Sequence, residues 1–156
     1  MENEGCLTKI MAWVFGGLIG LLVIRFVYGL IDGLILEITD SQFLAAVLLI
    51  ISCAIKSILT YLIFGGLICP KYDSVSTAIN YPGVFKTIVA VIVSLFFALF
   101  GFVMSWDSLP NKHTALINSE AMQITLLAVL AVTTIVTAII RFHSINKAWF
   151  EEQRKN

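Results

Sequence analysis

Charged residues are scarce in this chain of 156 residues, and their scarcity excludes several classes of protein. Lys, Arg, Asp and Glu together make up 13% of the sequence, whereas hydrophobic residues make up 59%. Soluble domains have about 25% charged and about 45–50% apolar residues. The ten cations balance the ten carboxylates, so no basic surface favours nucleic acid as a partner. These proportions predict a membrane protein that has the lipid bilayer as its main partner.

Residues that usually carry catalysis or bind metals are also few. The chain has two histidines and three cysteines, and the cysteines show no C-x-x-C or zinc-ligand spacing. His113 and His143 lie in segments that we expect on opposite sides of the membrane, too far apart to share a site. The sequence has no phosphate-binding glycine loop, nucleophile elbow or zincin motif. We therefore expect no enzyme activity, no metal site and no cofactor.

Four apolar runs are long enough to cross a bilayer, which takes about 20 helical residues. They cover about residues 10–32, 43–69, 84–106 and 121–141. The remaining residues are too few to fold a separate soluble domain with its own core. The predicted fold is therefore an all-α membrane protein, with residues 1–156 forming one domain of four transmembrane helices.

The C-terminal residues 142–156 predict a helical tail outside the bilayer. Phe142, Ile145 and Trp149 recur at i, i+3 and i+7, so one face of this helix is apolar and the other is charged. We expect the tail to contact the inner leaflet or a protein partner. The tail residues expected to make this contact are Arg141, Lys147, Trp149, Arg154 and Lys155.

Lys and Arg residues outside the spans are distributed unevenly, and this predicts the orientation. Seven lie in the head, the middle loop region and the tail, whereas Lys112 is alone in the loops on the other side. Cytoplasmic loops carry the excess of Lys and Arg in membrane proteins. We expect a multi-pass protein of the bacterial inner (cytoplasmic) membrane, with both termini in the cytoplasm.

Two cations lie inside predicted spans, where a charge costs about 2.5–3.5 kcal/mol on insertion scales. Lys56 is at the centre of the second run, and Ser52 and Thr60 flank it at four-residue spacing, so the three form one polar stripe. Arg25 lies in the first span, seven residues before Asp32 and on the same side of the helix. We predict that Arg25, Asp32 and Lys56 form an intramembrane charge site.

Several interpretations of these cations remain open at this stage. Lys56 bonds to carbonyls, hydroxyls or Asp32 inside the bundle, or it lines a hydrated cavity with Arg25, or it is a neutral amine. A cavity with two cations and no carboxylate favours an anion. Arg25 on its own is also long enough to extend toward the outer membrane surface.

Two pairs of glycines in the first span, Gly16–Gly20 and Gly29–Gly33, have the small-xxx-small spacing. Such pairs let helix backbones approach closely in membranes. Thirteen residues separate the pairs, so they face different directions on the helix. We expect one pair to pack inside the chain and the other to contact a second subunit of a homo-oligomer.

These features favour a non-enzymatic protein that oligomerises and acts by association, with a cytosolic protein as a candidate partner. Its small size suggests a protective role, meaning phage defence, toxin immunity or exclusion. The alternative is a homo-oligomeric pore or carrier for a small anion, lined by Lys56 and Arg25. A third interpretation is an assembly factor for a larger membrane complex.

Overall fold

The computed structural model describes residues 2–68, 84–107 and 109–155, and all regular structure in these ranges is helical. The long helices are α1 (Glu2–Ile38), α2 (Gln42–Ile68), α3 (Val84–Trp106) and α5 (Glu120–Lys155). A 3-10 helix (Asn111–His113) and α4 (Thr114–Ile117) lie between α3 and α5. The middle loop, residues 69–83 between α2 and α3, lies outside the described residues, and Cys69 and Lys71 with it.

Four helices are long and apolar enough to cross a membrane, which confirms the predicted all-α membrane fold. The apolar stretches are Gly5–Ile38, Gln42–Gly66, Phe85–Trp106 and Glu120–Ala148. The first helix therefore continues six residues past the predicted end at residue 32. The fourth span and the C-terminal tail form one continuous helix, α5. The side of the membrane that each end faces stays a prediction.

Serine side chains mark the starts of α2 and α5. The Ser41 hydroxyl accepts a hydrogen bond from the Leu44 N–H at 3.5 Å, and the Ser119 hydroxyl accepts one from the Met122 N–H at the same distance. Both bonds satisfy amide groups that have no partner within the first helical turn. Only residues 39–41 separate α1 from α2, so these two helices run antiparallel as neighbours.

The centre of the bundle is α2, which packs most extensively against α3 and α5. On α3, Ala90, Ser94 and Ala98 follow one another at four-residue spacing, and each is at most 1% exposed. Small residues on one stripe let the helix backbones approach, which compensates for the weak hydrophobic driving force between helices in lipid. Helices α2, α3 and α5 therefore form the packed core together with the C-terminal part of α1, which contributes Leu36.

Helix α1 is packed along only part of its length. From Gly5 to Val27 no residue of α1 is buried, whereas Tyr28, Asp32 and Leu36 are each at most 5% exposed. The C-terminal part of α1 therefore belongs to the bundle. The N-terminal part presents apolar side chains around most of its circumference.

The connections at one end of the bundle are tied to the C-terminus of α1. The Lys112 ammonium donates a hydrogen bond to the Glu37 carbonyl at 2.8 Å and pairs with Asp40 at 2.7 Å. The His113 Nε2 donates to the Thr39 carbonyl at 2.7 Å. The last carbonyls of a helix lack intrahelical partners and carry partial negative charge, so these donors stabilise the end of α1. We call this end of the molecule the loop end.

Candidate functional site

Residue spacing on α1 and α2 brings a set of polar side chains to one interface. Tyr28 and Asp32 are four residues apart on α1, and Ser52, Lys56 and Thr60 are four residues apart on α2. Side chains on a helix lean toward its N-terminus. Because α1 and α2 are antiparallel, Lys56 leans toward the loop end and Asp32 leans away from it. The two side chains therefore meet although their backbones lie at different depths.

Lys56 and Asp32 form an ion pair inside the bundle. The Lys56 ammonium lies 2.6 Å from Asp32 Oδ1, and each side chain is 7% exposed. The Ser52 hydroxyl donates a second hydrogen bond to the same oxygen at 3.0 Å. Hydrogen bonds to charged groups are roughly twice as strong as neutral ones. The site is thus electrically neutral as a whole, and its carboxylate has two donors.

Tyr28 and Thr60 extend this polar cluster along the interface. The Thr60 hydroxyl donates to the Lys56 carbonyl at 2.7 Å, and the Tyr28 hydroxyl lies 2.7 Å from the Thr60 hydroxyl oxygen. The Tyr28 hydroxyl also donates to the Lys56 carbonyl at 3.3 Å, so either hydroxyl can be the donor in the contact between Tyr28 and Thr60. The Lys56 ammonium also lies 4.7 Å from the centre of the Tyr28 ring, within the range of a cation–π contact. We call Tyr28, Asp32, Ser52, Lys56 and Thr60 the polar cluster.

The structure brings together most, but not all, of the residues that the sequence analysis assigned to the charge site. Asp32, Lys56 and the stripe residues Ser52 and Thr60 lie in the polar cluster. Arg25 does not: its side chain is exposed, and it has no ion pair or hydrogen bond with any residue that the structure describes. Tyr28 was missed as a member of the site, although its four-residue spacing from Asp32 was a usable signal.

The two glycine pairs of α1 have different surroundings among the described residues. A Cβ atom added at Gly16 or Gly20 would meet nothing within 4 Å, and one at Gly33 would lie 3.9 Å from the Pro110 ring. Gly29 is half-buried. The tight approach of α1 depends instead on Gly101 of α3, where a Cβ atom would lie 2.5 Å from the Ile24 side chain.

Residues expected to contact the inner leaflet or a partner have different environments. The Arg141 side chain lies against Gly66 of α2, where an added Cβ atom would be 3.6 Å from its guanidinium. Arg141 therefore contacts α2 within the bundle. Lys147, Arg154 and Lys155 are exposed on α5, and the Trp149 side chain is outside the described part of the chain.

The polar cluster is suited to structural and recognition roles. Its charges neutralise each other, and its hydrogen bonds join α1 to α2. Among the residues that the structure describes, no group of three or more His, Cys, Asp or Glu side chains is placed to hold a metal ion. Comparison with known proteins assigns no family, because no family model, curated protein or solved structure matches this chain.

Proposed function

We propose that this chain is a non-enzymatic protein of the bacterial inner membrane that forms a homo-oligomer and acts by association with other proteins. Both termini and the tail lie in the cytoplasm, as the distribution of Lys and Arg predicts. The tail, with exposed Lys147, Arg154 and Lys155, is then available to a cytosolic partner. The biological role is protective, in phage defence, toxin immunity or exclusion.

The observation that carries this proposal is the uncovered N-terminal part of α1. In its most apolar window of 18 residues none is buried, compared with 39% for α2 and 22% each for α3 and α5. Gly16 and Gly20 lie in this uncovered part with open space around them. A small-xxx-small pair on an uncovered helix face permits the close backbone contact that drives helix association in lipid. This supports self-association through α1.

The geometry of the charged residues counts against the anion pore. A pore lined by Lys56 and Arg25 needs two cations whose charge is available to the permeating ion. Lys56 instead pairs with Asp32, to which Ser52 also bonds, and Arg25 is exposed and bonds to none of these three residues. A neutral buried pair has no net charge with which to attract an anion. The polar cluster therefore supports a structural function better than conduction.

A protective role is consistent with the small scale of the molecule. The long helices are joined by residues 39–41, 69–83 and 107–119, so effects on other molecules would arise through contacts of the helices, these connections and the tail. Expression in a bacterial host tests this role through survival after challenge with phages, membrane-active toxins or conjugative donors. No change in survival in any of these three challenges would remove the protective role from the proposal.

Self-association is tested by energy transfer between two differently labelled copies of the full chain in lipid vesicles. We expect transfer that persists as lipid is added, and we expect Gly16→Ile with Gly20→Ile to abolish it, because the added side chains separate the backbones. Gly17→Ile is the matched control, since Gly17 has the same open space but points about 100° away from Gly16. Wild-type protein that behaves as a monomer would refute the proposal.

A further inference from the structure

Arg25 is an intramembrane cation that pairs with no residue in the described part of the chain. It lies within the apolar stretch Gly5–Ile38, its side chain is exposed, and none of the described residues pairs with it. A charge in this position is costly, and such residues in membrane proteins usually mark a functional contact. The described part of this chain therefore supplies no partner for the Arg25 guanidinium.

The surface around Arg25 continues a face that is already used for packing. Met11, Leu18, Arg25 and Asp32 recur every seven residues, so they share one side of α1. Asp32 is 5% exposed because α2 covers this side at the loop end, whereas Leu18 is 53% and Met11 is 50% exposed. The same helix face therefore passes from a packed interface to an uncovered apolar surface, with Arg25 at the transition.

A second copy of this chain does not supply the missing group at this depth. Asp32 is the acidic residue of α1 that lies nearest to Arg25, about 10 Å away along the helix axis, and Lys56 and Ser52 already bond to it. Glu37 is twelve residues further along α1 than Arg25, about 18 Å along the helix axis. A homo-oligomer would therefore add further Arg25 cations at this depth without adding free carboxylates.

A lipid phosphate is also badly placed to pair with Arg25. The residue lies thirteen positions before Ile38, about 20 Å along the helix axis from that end. The apolar stretch of the neighbouring helix α2, Gln42–Gly66, starts beside that end of α1 and is about 36 Å long. Arg25 therefore lies near the middle of the apolar part of the bundle, about 16 Å from its other end. Charge complementarity favours a carboxylate at the same depth.

We propose that the Met11–Leu18–Arg25 face of α1 binds a transmembrane helix of another protein that carries an Asp or Glu within its apolar span. The apolar residues supply the helix–helix contact, and Arg25 pairs with the carboxylate. This proposal rests on the function by association, and it identifies the class of partner: an integral membrane protein with an unpaired intramembrane acid.

The test uses the full-length protein in vesicles with synthetic transmembrane peptides. Three Leu/Ala peptides of about 23 residues carry Asp, Asn or Leu at one position at the depth of Arg25, and energy transfer measures binding. We expect the Asp peptide to bind at least about five-fold more tightly than the Leu peptide, since polar contacts between membrane helices have about this effect. Arg25→Leu removes the preference. Arg25→Asp transfers the preference to a peptide that carries Arg.

Lys9→Leu is the control, because it removes a cation from the same helix near its N-terminal end and should leave the preference unchanged. Equal binding of the Asp peptide to wild type and Arg25→Leu overturns the proposal. A preference that disappears in vesicles containing anionic lipid also overturns it and assigns Arg25 to lipid phosphates. Self-association, measured in the same vesicles, separates the two claims: if it persists without an Asp preference, the proposed function stands and this inference fails.

Discussion

The buried ion pair between Lys56 and Asp32 leads to a stability prediction. It distinguishes a fixed structural contact from a hydrated cationic site. The perturbation is a double-mutant cycle of Lys56→Met, Asp32→Leu and the combined variant. Met retains most of the length of the lysine side chain without its charge, so the apolar contacts along the side chain change little. Each single variant leaves a buried charge without its main partner, whereas the combined variant removes both charges.

The separation of the two charges sets the magnitude. At 2.6 Å, two unit charges attract by about 6 kcal/mol at an effective dielectric constant of about 20. Removing both from water costs several kcal/mol per ion, so the pair contributes little net stability. Losing one partner forfeits the attraction but leaves the burial cost of the other. We therefore expect each single variant to lower the free energy of unfolding by about 3–5 kcal/mol, and the combined variant to lie within about 1 kcal/mol of wild type.

The assay is reversible unfolding of the purified protein in bicelles, followed by tryptophan fluorescence. Arg25→Met is the matched control: it also removes a cation from a span, but Arg25 has no partner among the described residues, so we expect no loss of stability. Additive effects in the cycle, or single variants as stable as wild type, would refute the account of a closed ion pair. A destabilised Arg25→Met would show that Arg25 has a partner inside the folded chain.

Three further predictions follow from other contacts. Tyr28→Phe removes the hydroxyl that bonds to the Thr60 hydroxyl and to the Lys56 carbonyl of α2, and should lower the free energy of unfolding by about 1 kcal/mol in the same assay. Gly101→Leu places a side chain where even a Cβ atom would lie 2.5 Å from α1, and should lower the free energy of unfolding by about 1–3 kcal/mol. Gly16→Leu is the control and should leave the stability of a monomer unchanged. Equal losses of stability in the two variants would contradict the packing of α1 on α3. At the loop end, the hydrogen bond from Lys112 and its charge hold the pKa of Asp40 below its usual 3.8. The stabilisation is therefore complete above the usual pKa and is lost as the pH falls through the lowered one, and an NMR titration in which Lys112→Met leaves the pKa of Asp40 unchanged would exclude this pair.

The helices and the Lys56 stripe could be predicted from the sequence because both depend on local spacing. Apolar runs of sufficient length give the four spans, and residues four apart share a helix face whatever surrounds them. The partner of Lys56 could not be decided in this way. Arg25 and Lys56 both had access to Asp32 by spacing, and the rotation of α1 against α2, which selects Lys56, depends on packing along the whole interface.

The glycines also show which contacts cannot be predicted from the sequence alone. Gly16–Gly20 matches a known packing pattern, yet no part of the described chain lies within 4 Å of a Cβ atom added there. Gly101 has no second glycine at four-residue spacing and nevertheless provides the close approach of α1 to α3. A sequence pattern shows that a backbone is accessible, but only the three-dimensional arrangement shows which neighbour uses it. Contacts with a second subunit stay a proposal, because the structure contains a single chain.

The measurement that tests the central claim most directly is anion flux through vesicles that contain the purified protein, with wild type beside Lys56→Leu. Both preparations must first show the same oligomer size, so that a difference in flux does not reflect a difference in assembly. A closed, neutral pair of Lys56 and Asp32 in a protein that acts by association predicts no flux above that of empty vesicles for either protein. Anion flux through the wild type that is lost or changes ion preference in Lys56→Leu would contradict the account and establish a hydrated path past Lys56.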